Sequence, residues 1–209
     1  GHMLHHLLTR IEYPSISGIN GVPWDAVELP SQFMENFAWH YDVLKHCSGH
    51  TDTGAALPRE LFDKLDASRH AGAALSMLRQ LEFALFDFRL HAEYDPSSRV
   101  SPLDILREVR DEVSLLDHPD YNRLPHAFSH IFGGGYAAGY YSYKWAEVLA
   151  ADAFGAFEEA GIFDADTAAR FRREVLEVGG SRDIMEAYVA FRGREPAIDA
   201  LLRQSGIER

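Results

Sequence analysis

AGAALSMLRQLEFALFDFRLHAEY, residues 71–94, is the stretch that decides the fold class. Leu75, Leu78, Leu81, Phe83, Leu85, Phe86 and Leu90 recur there with helical spacing, and no proline interrupts them. The run therefore predicts one long helix with these residues crowding its buried side. Working outward, the same period returns on both sides. Downstream, Leu103–Leu115 reads as a helix opened by Ser101 as N-cap and Pro102 in the first turn, with Asp104 and Glu108 placed as the helix dipole prefers. Upstream lie a short helix over Pro58–Ala67 and a longer one over Val27–Cys47, where Pro30 in the first turn gives up an N–H that needs no partner.

The remaining segments agree. Leu4–Ile11 reads as the end of a helix and Tyr13–Pro23 as a loop rich in Gly, Ser and Pro. Pro125 and the glycines Gly133, Gly134 and Gly135 break the pattern; from Tyr136 the helical period returns and lasts to about Ala160, before a stop at Gly161. Further helices are expected over 164–178, 183–191 and 196–204. The fold class is mainly α, with at most a small β-hairpin near Pro125–Phe132 and no linker that separates two domains.

Composition excludes several classes of function. With 46% apolar and 25% charged residues the chain is globular in character. Its net charge of −12 opposes binding to phosphate backbones or anionic lipid, so neither nucleic acid nor a membrane is an expected partner. Cys47 is the only cysteine, which rules out an internal disulfide and favours a reducing, cytoplasmic setting. Gly1-His2-Met3 has the form of an expression-tag remnant, with residues 4–209 as the protein proper.

Glu28, Ser31, Gln32 and Glu35 stand at i, i+3, i+4 and i+7 on one helical face. Such a stripe is either a solvated face or a metal-ligand carboxylate with its supporting partners. The words around it, SGINGVPWDAVELPSQFMEN (Ser17–Asn36), closely resemble the segment that carries the third zinc ligand in the thimet oligopeptidase (M3) family of zinc metallopeptidases, most closely its bacterial branch. The resemblance implies that Glu28, just before P-S-Q, is that ligand. It also implies a multi-helical part of a zincin-type oligopeptidase catalytic domain, zinc as cofactor and short peptides as substrates.

The same family holds zinc with the two histidines of H-E-x-x-H, whose glutamate is the general base. No such string occurs in these 209 residues. Family members continue from the motif as H-E-x-G-H-x-L-H-H, and this sequence begins GHMLHHLL, so Gly1-His2 coincide with the last two letters of the motif. Either these two residues are vector-derived, or they are native and His2 is the second zinc ligand. His5 and His6 read as surface or capping histidines.

A second segment, FSHIFGGGYAAGYYSYKWAEV (Phe128–Val148), sets Tyr136, Tyr140 and Tyr143 at i, i+4 and i+7 behind three glycines. Hydroxyls converging on one side of a helix can donate to the oxygen that gains charge when water attacks a peptide carbonyl; they can equally pack in a core. Here too the segment resembles the oligopeptidases. The resemblance implies that His130 and Tyr136 bind substrate and that Tyr140 and Tyr143 stabilise the tetrahedral intermediate, with Tyr141 structural. The tail, FRGREPAIDALLRQSGI (Phe191–Ile207), is similar to the end of the same proteins and puts Arg192 and Arg194 near a peptide channel or in surface ion pairs.

The expectation is a C-terminal portion of a zinc oligopeptidase, inactive alone and prone to associate with itself or with the missing N-terminal part. A free-standing non-catalytic peptide- or protein-binding module is the alternative. A third possibility is an active enzyme assembled from two chains.

Overall fold

A computed structural model describes residues 1–207, so the end of the 4–209 segment, residues 208–209, lies outside the described residues. Every regular element is a helix and no strand occurs among the described residues: Pro125–Phe132 falls in two short helices where a hairpin was the alternative. In order these are α1 (His2–Leu8), α2 (Trp24–Val27), α3 (Leu29–Phe37), α4 (Tyr41–Cys47), α5 (Arg59–Ser68), α6 (Ala73–Glu93), α7 (Pro102–Val113), α8 (Leu124–Ala127), α9 (Ser129–Phe132), α10 (Ser142–Ala160), α11 (Ala165–Phe171), α12 (Ile184–Arg192) and α13 (Asp199–Gln204). A π-helical turn, Arg172–Leu176, extends α11. No described helix is long and apolar enough to cross a membrane.

The chain divides into two compact units, although no linker is legible in the sequence. One comprises Gly1–Ala71 and the chain from Trp145 onward; the other, Gly72–Lys144, is inserted into it. The first unit is built on an aromatic core. Phe33 of α3 stacks on Phe171 at 4.0 Å and meets Phe37, Phe154 and Phe157 edge-on or tilted. Buried alanines of α10, Ala150, Ala153 and Ala156, share this cluster and leave room for the rings.

The single helix expected over Val27–Cys47 is three. Glu28 is both the last residue of α2's cap and the N-cap of α3, and His40 is extended before α4. Glu28 therefore stands at the junction of α2 and α3, its carbonyl accepting from the Gln32 N–H at 3.0 Å.

The second unit is organised by α6 and α7. Phe86 and Leu90 of α6 pack with Ile105, Leu106 and Val109 of α7, and Phe128, between α8 and α9, and Ile131 of α9 close the cluster. Ser101 and Asp104 form a reciprocal capping box that starts α7 where the sequence places it.

The predicted buried side of α6 needs correction. Leu75 is 47% exposed, and Leu81, about 140° round the helix from Phe86, is exposed as well. Two acids, Glu82 and Asp87, are buried instead. Glu82 accepts from Arg79 (2.8 Å) and from Arg110 of α7 (2.8 Å), with His118 at 3.6 Å, so its charge is neutralised where water is excluded.

Candidate functional site

In the first unit the polar stripe resolves into a compact cluster. His2 Nε2 lies 3.1 Å from Glu28 Oε2. Glu28 is 5% exposed, and the Ser31 hydroxyl donates to the same oxygen at 2.7 Å. α1 reaches this place because its start lies against the start of α3: a Cβ on Gly1 would stand 2.2 Å from main-chain atoms of Ser31, so only glycine permits the approach. Ser31 thus supports Glu28, and Glu35 at the far end of the stripe is exposed.

His5, read from sequence as a surface residue, is 2% exposed, and neither ring nitrogen has a hydrogen-bond partner in the described residues. Burial, followed by the neighbouring His6 and His2, lowers its pKa to about 4, so the ring is neutral at physiological pH. His6 packs against Gly18, where a Cβ would meet its ring.

Zinc is the metal that the donor set would suit. An imidazole nitrogen and a carboxylate oxygen 3.1 Å apart are close to the ~3.3 Å edge of a tetrahedron with bonds of about 2.05 Å. The fit is partial, because no group of three or more His, Cys, Asp or Glu able to hold a metal occurs among the described residues.

In the second unit the tyrosines do come together, by a different route from the one expected. α10 starts at Ser142, so Tyr136 and Tyr140 lie in the turn before it and only Tyr143 is helical. The turn folds Tyr136 back onto Tyr143, the rings stacked at 4.8 Å and 23°. Tyr140 meets Tyr143 at 5.1 Å, and the exposed His130 ring lies 5.7–6.3 Å from all three. Gly134 allows this: a Cβ there would come within 2.8 Å of His130 Cα, while Tyr136 N–H donates to the His130 carbonyl at 3.0 Å.

The three hydroxyls differ in surroundings. Tyr136 and Tyr143 are half-buried, whereas Tyr140 is only 8% exposed and its hydroxyl donates to Gln80 Oε1 at 3.0 Å. Burial, then Tyr143, pushes the Tyr140 phenol above its ordinary pKa, so it stays protonated as a donor must. Tyr141 packs on Phe88 at 5.1 Å. The sequence reading missed Gln80 and Asp87; the available signal was an acid inside the apolar run LEFALFDFRL.

Arg192 and Arg194 belong to the first unit. Arg194 pairs with both oxygens of the buried Asp152, and Arg192 pairs with Glu159 and donates to the Asp152 carbonyl. Tyr188 donates to Asp152 at 2.6 Å, and its phenol pKa is strongly raised, by burial first and then by that carboxylate. Both arginines therefore make ion pairs that join α10 to the end of α12 and the residues just after it.

Comparison with known proteins gives one consistent outcome. The model of Peptidase family M3 matches residues 1–207. Oligopeptidase A of Salmonella typhimurium is 57% identical over 208 residues, covering 100% of this chain and 31% of that protein. Oligopeptidase A of Haemophilus influenzae is 54% identical over 207 residues (99% of this chain, 30% of that protein). Saccharolysin of Saccharomyces cerevisiae is 35% identical over 209 residues (100% and 29%). The chain thus spans about a third of the length of these curated relatives.

Proposed function

The chain belongs to Peptidase family M3, and from that premise we propose that it forms the C-terminal part of the catalytic domain of a zinc-dependent oligopeptidase acting on short peptides in the cytoplasm. The observation that carries the reading is the meeting at 3.1 Å of His2, on α1, and Glu28, between α2 and α3. The family match includes residues 1–3, which supports His2 as a family residue against the tag reading. His2 and Glu28 would be two of three zinc ligands. A zinc ion there supplies polarisation of the scissile carbonyl and lowers the pKa of a water.

The residues of this chain then have separate tasks. Ser31 holds the Glu28 carboxylate in one orientation. His130 and Tyr136 bind the peptide, and Tyr140 and Tyr143 donate to the carbonyl oxygen as it gains charge; loss of one such donor costs roughly 10²–10³ in rate. The 209 residues contain no H-E-x-x-H, so alone they supply neither the first histidine nor the base. Exposed apolar side chains, Leu115, Leu116, Tyr121 and Phe132 among them, support association with itself or with the remaining part of the protein.

The test compares the 209-residue chain with a longer form that begins before H-E-x-G-H, using a quenched fluorogenic peptide and metal analysis. The longer form should hold zinc and hydrolyse the peptide, and Glu28→Ala should abolish both. Hydrolysis by the 209-residue chain, or a longer form indifferent to Glu28→Ala, would overturn the assignment.

A further inference from the structure

Asp87 is fully buried in the second unit, yet among the described residues the groups on its two oxygens include neither arginine nor lysine. Oδ1 accepts from the Ala138 N–H and Oδ2 from the Tyr140 N–H, both at 2.9 Å. His91 Nδ1, one turn along α6, lies 2.9 Å from Oδ1 and 2.8 Å from the Asp87 carbonyl. A buried carboxylate requires donors, and a turn outside helix or sheet requires acceptors for its N–H groups. Each need is met by the other, across 51 and 53 residues of sequence.

The turn so held is unusual. Ala138 has φ 54° and is the only non-glycine residue with positive φ among the described residues. Alanine does not choose that region unaided, so the surroundings impose it. Two further contacts come from the same side of α6. Phe83 meets the Tyr140 ring edge-on at 5.6 Å, and Gln80 Oε1 accepts from its hydroxyl at 3.0 Å. Gln80, Phe83 and Asp87 stand at i, i+3 and i+7, so one helical face grips Tyr140 at its hydroxyl, its ring and its main chain.

We propose that Asp87 and Gln80 are positioning residues for the tyrosine cluster: Asp87 fixes the main chain from Ala138 to Tyr140, and Gln80 holds the Tyr140 hydroxyl until a substrate oxygen replaces it. A phenol has one proton, and in this structure it goes to Gln80. Donation to a reacting carbonyl is therefore an exchange of acceptors, with the ring already in place. Glu82, five residues before Asp87, serves α7 through Arg110 and does not touch the turn. The proposal rests on the reading of Tyr140 as a substrate-facing donor for its purpose, and on geometry alone for its mechanism.

The experiment uses the 209-residue chain with ¹³C-labelled tyrosine rings, assigned through Tyr136→Phe, Tyr140→Phe and Tyr143→Phe. Asp87→Asn keeps the side chain's shape but turns an amide NH₂ toward one of the two N–H groups. The ring-current shifts of the stacked Tyr136 and Tyr143 should move toward free-tyrosine values. Adding Ala138→Gly, which removes the cost of the left-handed turn, should restore them in part. Gln80→Leu should change only the Tyr140 Cζ resonance, a reporter of phenol hydrogen bonding. Glu82→Gln is the control for a merely structural role and should lower Tm while leaving the tyrosine shifts in place. Wild-type tyrosine shifts in folded Asp87→Asn, or an unchanged Tyr140 Cζ in Gln80→Leu, would overturn the proposal. If Asp87→Asn does not fold, Asp87→Glu, which keeps the charge but displaces it by one methylene, is read in its place, with the same expected tyrosine shifts and the same overturning outcome. These spectra need neither zinc nor hydrolysis, so failure of the peptidase assignment would be seen separately.

Discussion

Each unit buries an aspartate, and the two are held in opposite ways. Asp152 in the first unit meets Arg194 on both oxygens and the Tyr188 hydroxyl on one. Asp87 in the second meets two main-chain N–H groups and His91. A carboxylate under arginine ties together helices that already have shape, and its job ends with stability. A carboxylate under main-chain N–H groups gives shape to a segment that has none of its own. The comparison teaches that burial of an acid says little until its donors are known.

The largest effect that would sharpen this contrast is at Asp152. Asp152→Ala leaves Arg194 without its carboxylate and the buried Tyr188 hydroxyl without its acceptor, and should cost about 3 kcal/mol of the first unit's stability, because hydrogen bonds to a charged group and a buried polar group are lost together. Urea denaturation followed by Trp fluorescence would measure it; a loss below about 1 kcal/mol would put Asp152 among surface ion pairs and dissolve the contrast.

Arg110→Ala comes next. It strips Glu82 of one of its two arginines and Asn122 of a donor, so the second unit should lose roughly 2 kcal/mol. Arg79 remains to limit the damage. Differential hydrogen exchange on α6 and α7 would localise the loss, and protection unchanged on both helices would count against Glu82 as their link.

The smallest effect concerns a half-buried acid at the start of α7. The capping box lowers the Asp104 pKa from 3.8 to about 2, through the Ser101 hydroxyl first and then its N–H. A carboxylate depressed on folding stabilises above its unfolded pKa and loses that contribution as pH falls through the folded one. The stability of α7 from this source should therefore be complete above about pH 4–5 and fade toward pH 2. Asp104→Asn should flatten this part of the pH profile by circular dichroism; an identical acid profile in the variant would show that the box contributes nothing to α7.

Much of this was legible in the sequence for identifiable reasons. Helices at α5, α7 and α12 follow from local signals, such as Pro58 at a start and the Ser101–Asp104 box, which act within a turn of the residues that carry them. The site was half legible. Glu28 with Ser31, and His130 with the three tyrosines, stand out as patterns and are indeed brought together within their units. The start of α10 was misplaced because Tyr136 and Tyr140 keep helical spacing while the Asp87 carboxylate, more than 50 residues away, takes the N–H groups of Ala138 and Tyr140. His5 looked like surface because one residue's type does not reveal its burial.

The sequence by itself determined a mainly α chain of an oligopeptidase family, because hydrophobic period, caps and family motifs are local or contiguous in the chain. Only the tertiary structure decided which side of α6 is buried, that a 73-residue unit is inserted between the halves of another, and that Tyr140 is gripped by Gln80, Phe83 and Asp87. Those outcomes depend on which donors and acceptors meet across long separations, and the sequence does not print the partner of a buried carboxylate.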